Sequence, residues 1–416
     1  MKKWFEGEAF AVLHVRNFRF YLLFRICLTM ASLMMSVIVG WQVYEITKDV
    51  LWLGLIGLFE VVPQVSVSLF AGHYIDIWNR RTIVRNTILL LILSSVILLG
   101  YSVYARYFSL RFGAYPIFIT IFITGFARGI IAPAQVALLG QMVPRNLYAN
   151  AATWNSATWQ ASAVMGPAIG GMVYGFFGII PAYSLVLALF AVSFFMIVGV
   201  HVGRHEVTIT NERVFTRIRE GIDFVFKTPE LLGAFSLDMF AVLFGGAVAM
   251  LPVFASDILH VGPQGLGLLR ACPSIGATVM AIMLMFRPPV RDTGRALFVA
   301  VVGFGLCMIG FALSRNFFLS AFILIISGGF DNVSVVIRGT ILQLFTPDEM
   351  RGRVASVNSI FIGSSNELGA FESGVAARLM GLVPSVIFGG AMTLLVVFIT
   401  ERVNKPLRRL SLKDRM

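Results

Sequence analysis

MVPRNLYANAATWNS at residues 142–156 and FTPDEMRGRVASVNS at residues 345–359 are two copies of one passage. Pro144 falls on Pro347, Asn155 on Asn358 and Ser156 on Ser359, each at an offset of 203 residues. Both copies stand between apolar stretches, so they mark an internal repeat that divides the chain into two related halves. Nearer the start of each half the offset is 213, where LGLI at 53–56 falls on LGLL at 266–269. A shorter connection near Ser314 to Phe318 in the second half accounts for the ten residues lost between the two offsets.

Apolar residues make up 58% of the 416 and charged residues 13%, with a mean hydropathy of +0.85. A water-soluble fold of this size cannot hide so much apolar surface. Stretches of roughly 20 apolar residues, the length that crosses a hydrocarbon core, recur with short polar breaks. Twelve spans are expected near 18–44, 51–75, 83–104, 114–140, 149–175, 179–202, 231–257, 264–286, 296–314, 317–343, 353–378 and 381–403. The first apolar stretch is too long for a signal peptide and has no small-residue cleavage site, so the N-terminus is expected to be retained. Cys27, Cys272 and Cys307 lie inside apolar segments without CxxC or a nearby His. They read as small buried hydrophobes, and no metal site is expected.

The net charge of +12 reports topology rather than nucleic-acid binding, because the basic residues sit in the loops between spans. With both termini in the cytoplasm, 24 Lys and Arg fall on that side and only Lys48, Arg106, Arg111 and Arg315 on the other. The positive-inside rule then sets an even number of spans with both termini cytoplasmic, as expected for a multi-pass protein of an inner (plasma) membrane. The longest polar stretch divides the spans six and six, giving an N-terminal half at 1–202, a linker at 203–230 and a C-terminal half with a basic tail at 231–416. Within that linker RVFTRIREGIDFVF carries apolar residues at helical spacing among basic ones, which predicts an amphipathic helix on the cytoplasmic membrane surface.

After the second span, GHYIDIWNRR presents Gly72, Asp76, Arg80 and Arg81. This resembles the loop motif of the major facilitator superfamily. Physically, Gly72 permits close helix approach, Asp76 can accept hydrogen bonds, and the arginines can anchor at anionic lipid headgroups. The fifth span contains GPAIGG, with Gly166, Pro167, Gly170 and Gly171, which resembles the motif of exporters in that superfamily and whose small residues permit close backbone packing. Longer strings, among them WQVYEITKDVLWLGLIG and DNVSVVIRGTILQLFTPDEMRGRVASVNSIFIGSSNELGAFESG, look like the branch containing enterobactin exporters and macrolide efflux proteins. RPPVRDTGR, where a second loop motif would stand, has no clear copy of Gly72 and Asp76.

The resemblance implies an all-α major facilitator fold, its two six-helix halves related by a pseudo-two-fold axis. It also implies proton-coupled efflux of a siderophore or amphipathic drug, with membrane lipids around a monomer and no cofactor. Import or flipping of a lipid-like solute is the alternative direction. The five histidines are scattered, and no HExxH, GxSxG or GxxxxGK[ST] string appears, so neither an enzyme nor a nucleotide-driven pump is expected.

Ionisable residues inside spans cost several kcal/mol unless paired or hydrated, so each is a candidate for function. They are Arg25, Glu60, Arg128, Asp238, Arg270, Asp331, Arg338, Glu367, Glu372 and Arg378. The offsets place Arg25 on Asp238 and Arg128 on Asp331, so equivalent positions carry opposite charges. In the fold implied by the resemblance, the spans that carry them line a central cavity, and these four are expected to pair and part as the halves rock. Asp331, mid-span, is the first candidate for a coupling proton. Glu367 and Glu372 lie about 140° apart around a helix, so one of them is expected to pair with Arg338 or Arg378. Glu60 precedes Pro63, whose kink frees a carbonyl for a nearby side chain. Phe126, Trp154, Trp159 and Phe330 are candidate faces for an apolar cargo.

Overall fold

The computed structural model describes residues 8–104, 111–201, 214–287, 289 and 291–411, with the side chains of 8, 9, 69, 72, 73, 76 and 214–218 outside that description. Every regular element among the described residues is helical. The first six long helices are α1 (Arg16–Thr47), α2 (Val50–Ile77), α3 (Arg80–Val103), α4 (Tyr115–Met142), α5 (Tyr148–Phe177) and α6 (Ile179–Val198). The second six are α7 (Pro229–Phe244), α8 (Gly262–Phe286), α9 (Thr293–Leu313), α10 (Phe317–Phe345), α11 (Arg351–Met380) and α12 (Leu382–Val403). Ten of the twelve are long and apolar enough to cross a membrane, with α7 prolonged by short helical turns to Ile258. The other two, α5 and α11, are 30 residues each but less apolar. They are the repeat partners that open with the duplicated passage.

By contacts the chain forms two compact units, residues 1–47 with 62–211, and 48–61 with 212–416. Within the first, α1 packs on α5 and α6, and α3 on α4 and α6. Within the second, α7 packs on α11 and α12, and α9 on α10 and α12, the same scheme six helices later. Small residues allow it. A Cβ on Gly166 of α5 would stand 3.1 Å from the Leu33 side chain of α1, and one on Gly369 of α11 would stand 2.8 Å from the Leu243 carbonyl of α7. Gly166 and Gly369 are equivalent at offset 203, so one glycine-mediated approach is built twice.

Helix ends repeat as well. Gly178 closes α5 at φ +88° and Gly381 closes α11 at φ +90°, again 203 residues apart. With ψ at −179° and 159°, both occupy a region open in practice only to glycine. Asn17 before the body of α1 donates to the His201 carbonyl at 2.6 Å, and Asn404 after α12 donates to the Pro229 carbonyl at 2.6 Å. Each unit is thus tied where its first and last helices meet.

The linker helix, Val214–Lys227, does not lie free on a surface. Val225 is fully buried in a cluster with Leu231, Phe235, Val354 and Val357, and Glu220 pairs with Arg353 of α11. Part of its apolar face, Val225 and Phe224, finds a protein partner in the second unit, while Ile222 and Phe226 stay exposed.

Candidate functional site

In the second unit Asp331, Ser334 and Arg338 follow one another at helical spacing on α10, so they share a face. Arg338, 5% exposed, forms an ion pair with Asp238 of α7, also 5% exposed. Two charges taken out of water hold only because each neutralises the other. Beside the pair lies a cavity of about 10 Å³, space for one water-sized guest. Asp238, Asp331 and Ser334 give it polar atoms, and Phe304 of α9 and Phe330 of α10 help wall it. Asp331 is half-buried. The buried Ser334 hydroxyl has no hydrogen-bond partner among the described residues.

The first unit carries the same construction with different chemistry. Arg25 of α1 donates from Nη1 to Gln135 Oε1 of α4 at 2.6 Å. Offsets of 213 and 203 map Arg25 onto Asp238 and Gln135 onto Arg338, so the α1–α4 and α7–α10 links occupy equivalent positions. One is a cation on an amide and the other a buried ion pair. Arg128 shares the α4 face with Gln135, just as Asp331 shares the α10 face with Arg338.

Asp238 and Arg25 here have partners other than those expected. Asp238 is matched by Arg338 within its own unit, and Arg25 by Gln135 within the other. A carboxylate this deeply buried needs its counter-ion at hydrogen-bond range, and α10 supplies one. Of the two arginines expected to meet Glu367 or Glu372, Arg338 instead pairs with Asp238. Arg378 meets Asp49 at 2.6 Å. Glu372 is half-buried on α11.

Gly72 and Asp76 of the loop motif lie outside the residues whose side-chain surroundings are described. Arg80 donates to the Ala137 carbonyl of α4 at 2.9 Å. Arg81 donates to the Ile197 carbonyl at 3.3 Å and to the Val198 carbonyl, at the C-terminal end of α6. These arginines therefore have protein acceptors rather than lipid alone, and Arg81 satisfies carbonyls that a helix terminus leaves open. Gly166, Pro167, Gly170 and Gly171 are all buried, with Gly170 facing Met34 of α1. Of the candidate aromatics, Trp154 packs on Phe10 at 5.8 Å, Phe126 and Trp159 are exposed, and Phe330 walls the cavity. Sequence reasoning missed Gln135 and Ser334, which carry no charge to draw attention. The repeat offset applied to Arg338 would have led to Gln135.

Residues 7–414 match the family described as transmembrane secretion effector. A Bacillus subtilis (strain 168) protein named uncharacterized MFS-type transporter YjbB is 25% identical over 376 residues, 89% of each chain. A POT family transporter solved with a thioalcohol-conjugated peptide superposes with a TM-score of 0.75 at 10% identity, covering 94% of this chain and 96% of that one. A D-xylose–proton symporter gives 0.73 at 11%, covering 94% and 98%. A bacterial homologue of the iron transporter ferroportin gives 0.71 at 15%, covering 95% and 99%. At these identities the solved structures speak to the fold, which is the all-helical major facilitator fold in two six-helix halves. The family and its relatives are transporters, not enzymes. The chain is a multi-pass membrane protein that belongs to the transmembrane secretion effector family of the major facilitator superfamily.

Proposed function

We propose that the protein is a proton-coupled exporter of a small amphipathic molecule, a drug or siderophore, working by alternating access in a bacterial inner membrane with both termini cytoplasmic. One observation carries the coupling half of this reading: Asp238 is already neutralised by Arg338, whereas Asp331 beside them makes no ion pair among the described residues. A carboxylate in an apolar wall is stable when it takes up a positive charge and costly when it does not. A proton that joins and leaves Asp331 would therefore change the free energy of the second half with each cycle. The GPAIGG string supports export by resemblance. Its weight is reduced because Gly166 has a packing counterpart in Gly369, so the string also serves plain helix packing.

The test is transport in proteoliposomes holding a pH-sensitive dye, under an imposed proton gradient, with siderophores, macrolides and cationic dyes offered in turn. Proton movement triggered by one cargo, opposite in direction to the cargo, is the expected result. Cargo movement in the same direction as protons would make the protein an importer, and cargo movement without protons would remove the coupling.

A further inference from the structure

Helical serines in this protein ordinarily donate back to the preceding turn, as Ser32 does to Leu28 at 2.8 Å, Ser95 to Leu91 at 3.0 Å and Ser102 to Leu98 at 2.8 Å. Ser334 does not. It is 3% exposed, its hydroxyl has no partner among the described residues, and it lines the cavity between α7, α9 and α10. Buried polar atoms are mostly satisfied; among the described residues the buried hydroxyls of Ser94, Ser162 and Thr346 also lack a partner, and Ser334 differs from them in lining the cavity, where its hydroxyl can meet a guest.

The character of that guest follows from the other lining groups. Two carboxylates and a hydroxyl offer oxygen lone pairs, the ligands of hard cations. The charge count narrows the choice. Arg338 cancels one of the two carboxylates, which leaves the cluster one negative charge in excess. A single positive charge closes the count. A proton on Asp331 closes it as well, so proton and cation compete for one place; water beside an ionised Asp331 would leave the count open, and a divalent ion would overshoot to a buried excess of one positive charge. The cavity of about 10 Å³ admits one water-sized body, and a bare sodium ion is no larger than that. Its remaining wall is apolar, formed by Ala241, Val242, Ala300, Val301, Phe304 and Phe330. Low polarity there strengthens the attraction between the ion and its ligands.

The first half repeats the frame without the site. Asp238, Asp331 and Ser334 correspond to Arg25, Arg128 and Ile131. Two cations and an isoleucine cannot bind a metal ion, so any such function belongs to the second half alone.

We propose that the cavity between α7, α9 and α10 binds one sodium ion, liganded by Asp331, Asp238 and the Ser334 hydroxyl. The inference rests on reading Asp331 as the coupling carboxylate, and it makes that residue a site where sodium stands in the place of a proton.

The experiment is equilibrium binding to the purified full-length protein in detergent at fixed pH. Thermal unfolding is followed in sodium chloride, potassium chloride and choline chloride at equal ionic strength, with calorimetric titration of sodium chloride alongside. A ligand that binds only the folded state raises the midpoint saturably. The expected result is a saturable rise in sodium alone, its apparent affinity weakened by about tenfold or more in Ser334→Ala and lost in Asp331→Asn. An unchanged midpoint in sodium, an equal rise in all three salts, or an undiminished response in Asp331→Asn would each overturn it. If Ser334→Ala is unstable, Ser334→Cys, which replaces the hard oxygen by sulfur in nearly the same volume, gives the same contrast. Loss of proton flux in Asp331→Asn with no sodium binding in wild type would defeat the sodium site and leave the coupling reading. Sodium binding abolished in Asp331→Asn while proton flux persists would do the reverse.

Discussion

Asp238 and Arg338 are deeply buried and face each other across α7 and α10, so removing either leaves the other as an uncompensated charge. Asp238→Asn should cost about 3–5 kcal/mol, and the double change Asp238→Asn with Arg338→Gln should recover most of it. Thermal unfolding in detergent measures both. Arg378 and Asp49 make a shorter-lived demand, because their side chains are 54% and 30% exposed. Arg378→Ala should therefore cost no more than about 1 kcal/mol by the same measurement. The charges in the spans were legible in the sequence, because ionisable residues stand out in apolar runs. Their partners were not. Arg25 is satisfied by the neutral Gln135, and Ser334 matters through what its hydroxyl lacks, which only a packed structure reveals.

Elements repeat more faithfully than residues do. The α1–α5 and α7–α11 contacts each pass through a glycine, and the terminating glycines 178 and 381 share one unusual backbone conformation. A Cβ on Gly178 would meet nothing within 4 Å, so Gly178→Ala isolates the backbone effect and should cost about 1–3 kcal/mol with no clash. Gly369→Ala should be worse than Gly166→Ala, since its Cβ would press on the Leu243 and Val242 carbonyls at 2.8 and 2.9 Å rather than on a side chain at 3.1 Å. Folded yield by size-exclusion chromatography ranks the two. The duplicated passage and the apolar runs revealed these helices before any coordinates. What they did not reveal was the docking of the linker helix. Its amphipathic pattern is the same whether the apolar face meets lipid or α11, and Val225 shows that it meets protein.

At the scale of the molecule, the two halves share a frame and differ in charge. Arg25 and Arg128 stand in the first where Asp238 and Asp331 stand in the second. At these two equivalent positions a carboxylate that can take up a proton stands only in the second half. That assigns separate tasks to the steps of a transport cycle: cargo exchange needs the conformational change, whereas uphill movement also needs the coupling proton. The most direct measurement is a comparison of wild type and Asp331→Asn in proteoliposomes, using a cargo identified in the wild-type screen. Cargo–cargo exchange at equilibrium is followed in parallel with accumulation driven by a pH gradient. Exchange retained in Asp331→Asn with gradient-driven accumulation lost is the predicted result. Gradient-driven accumulation intact in that variant would contradict the assignment of coupling to Asp331.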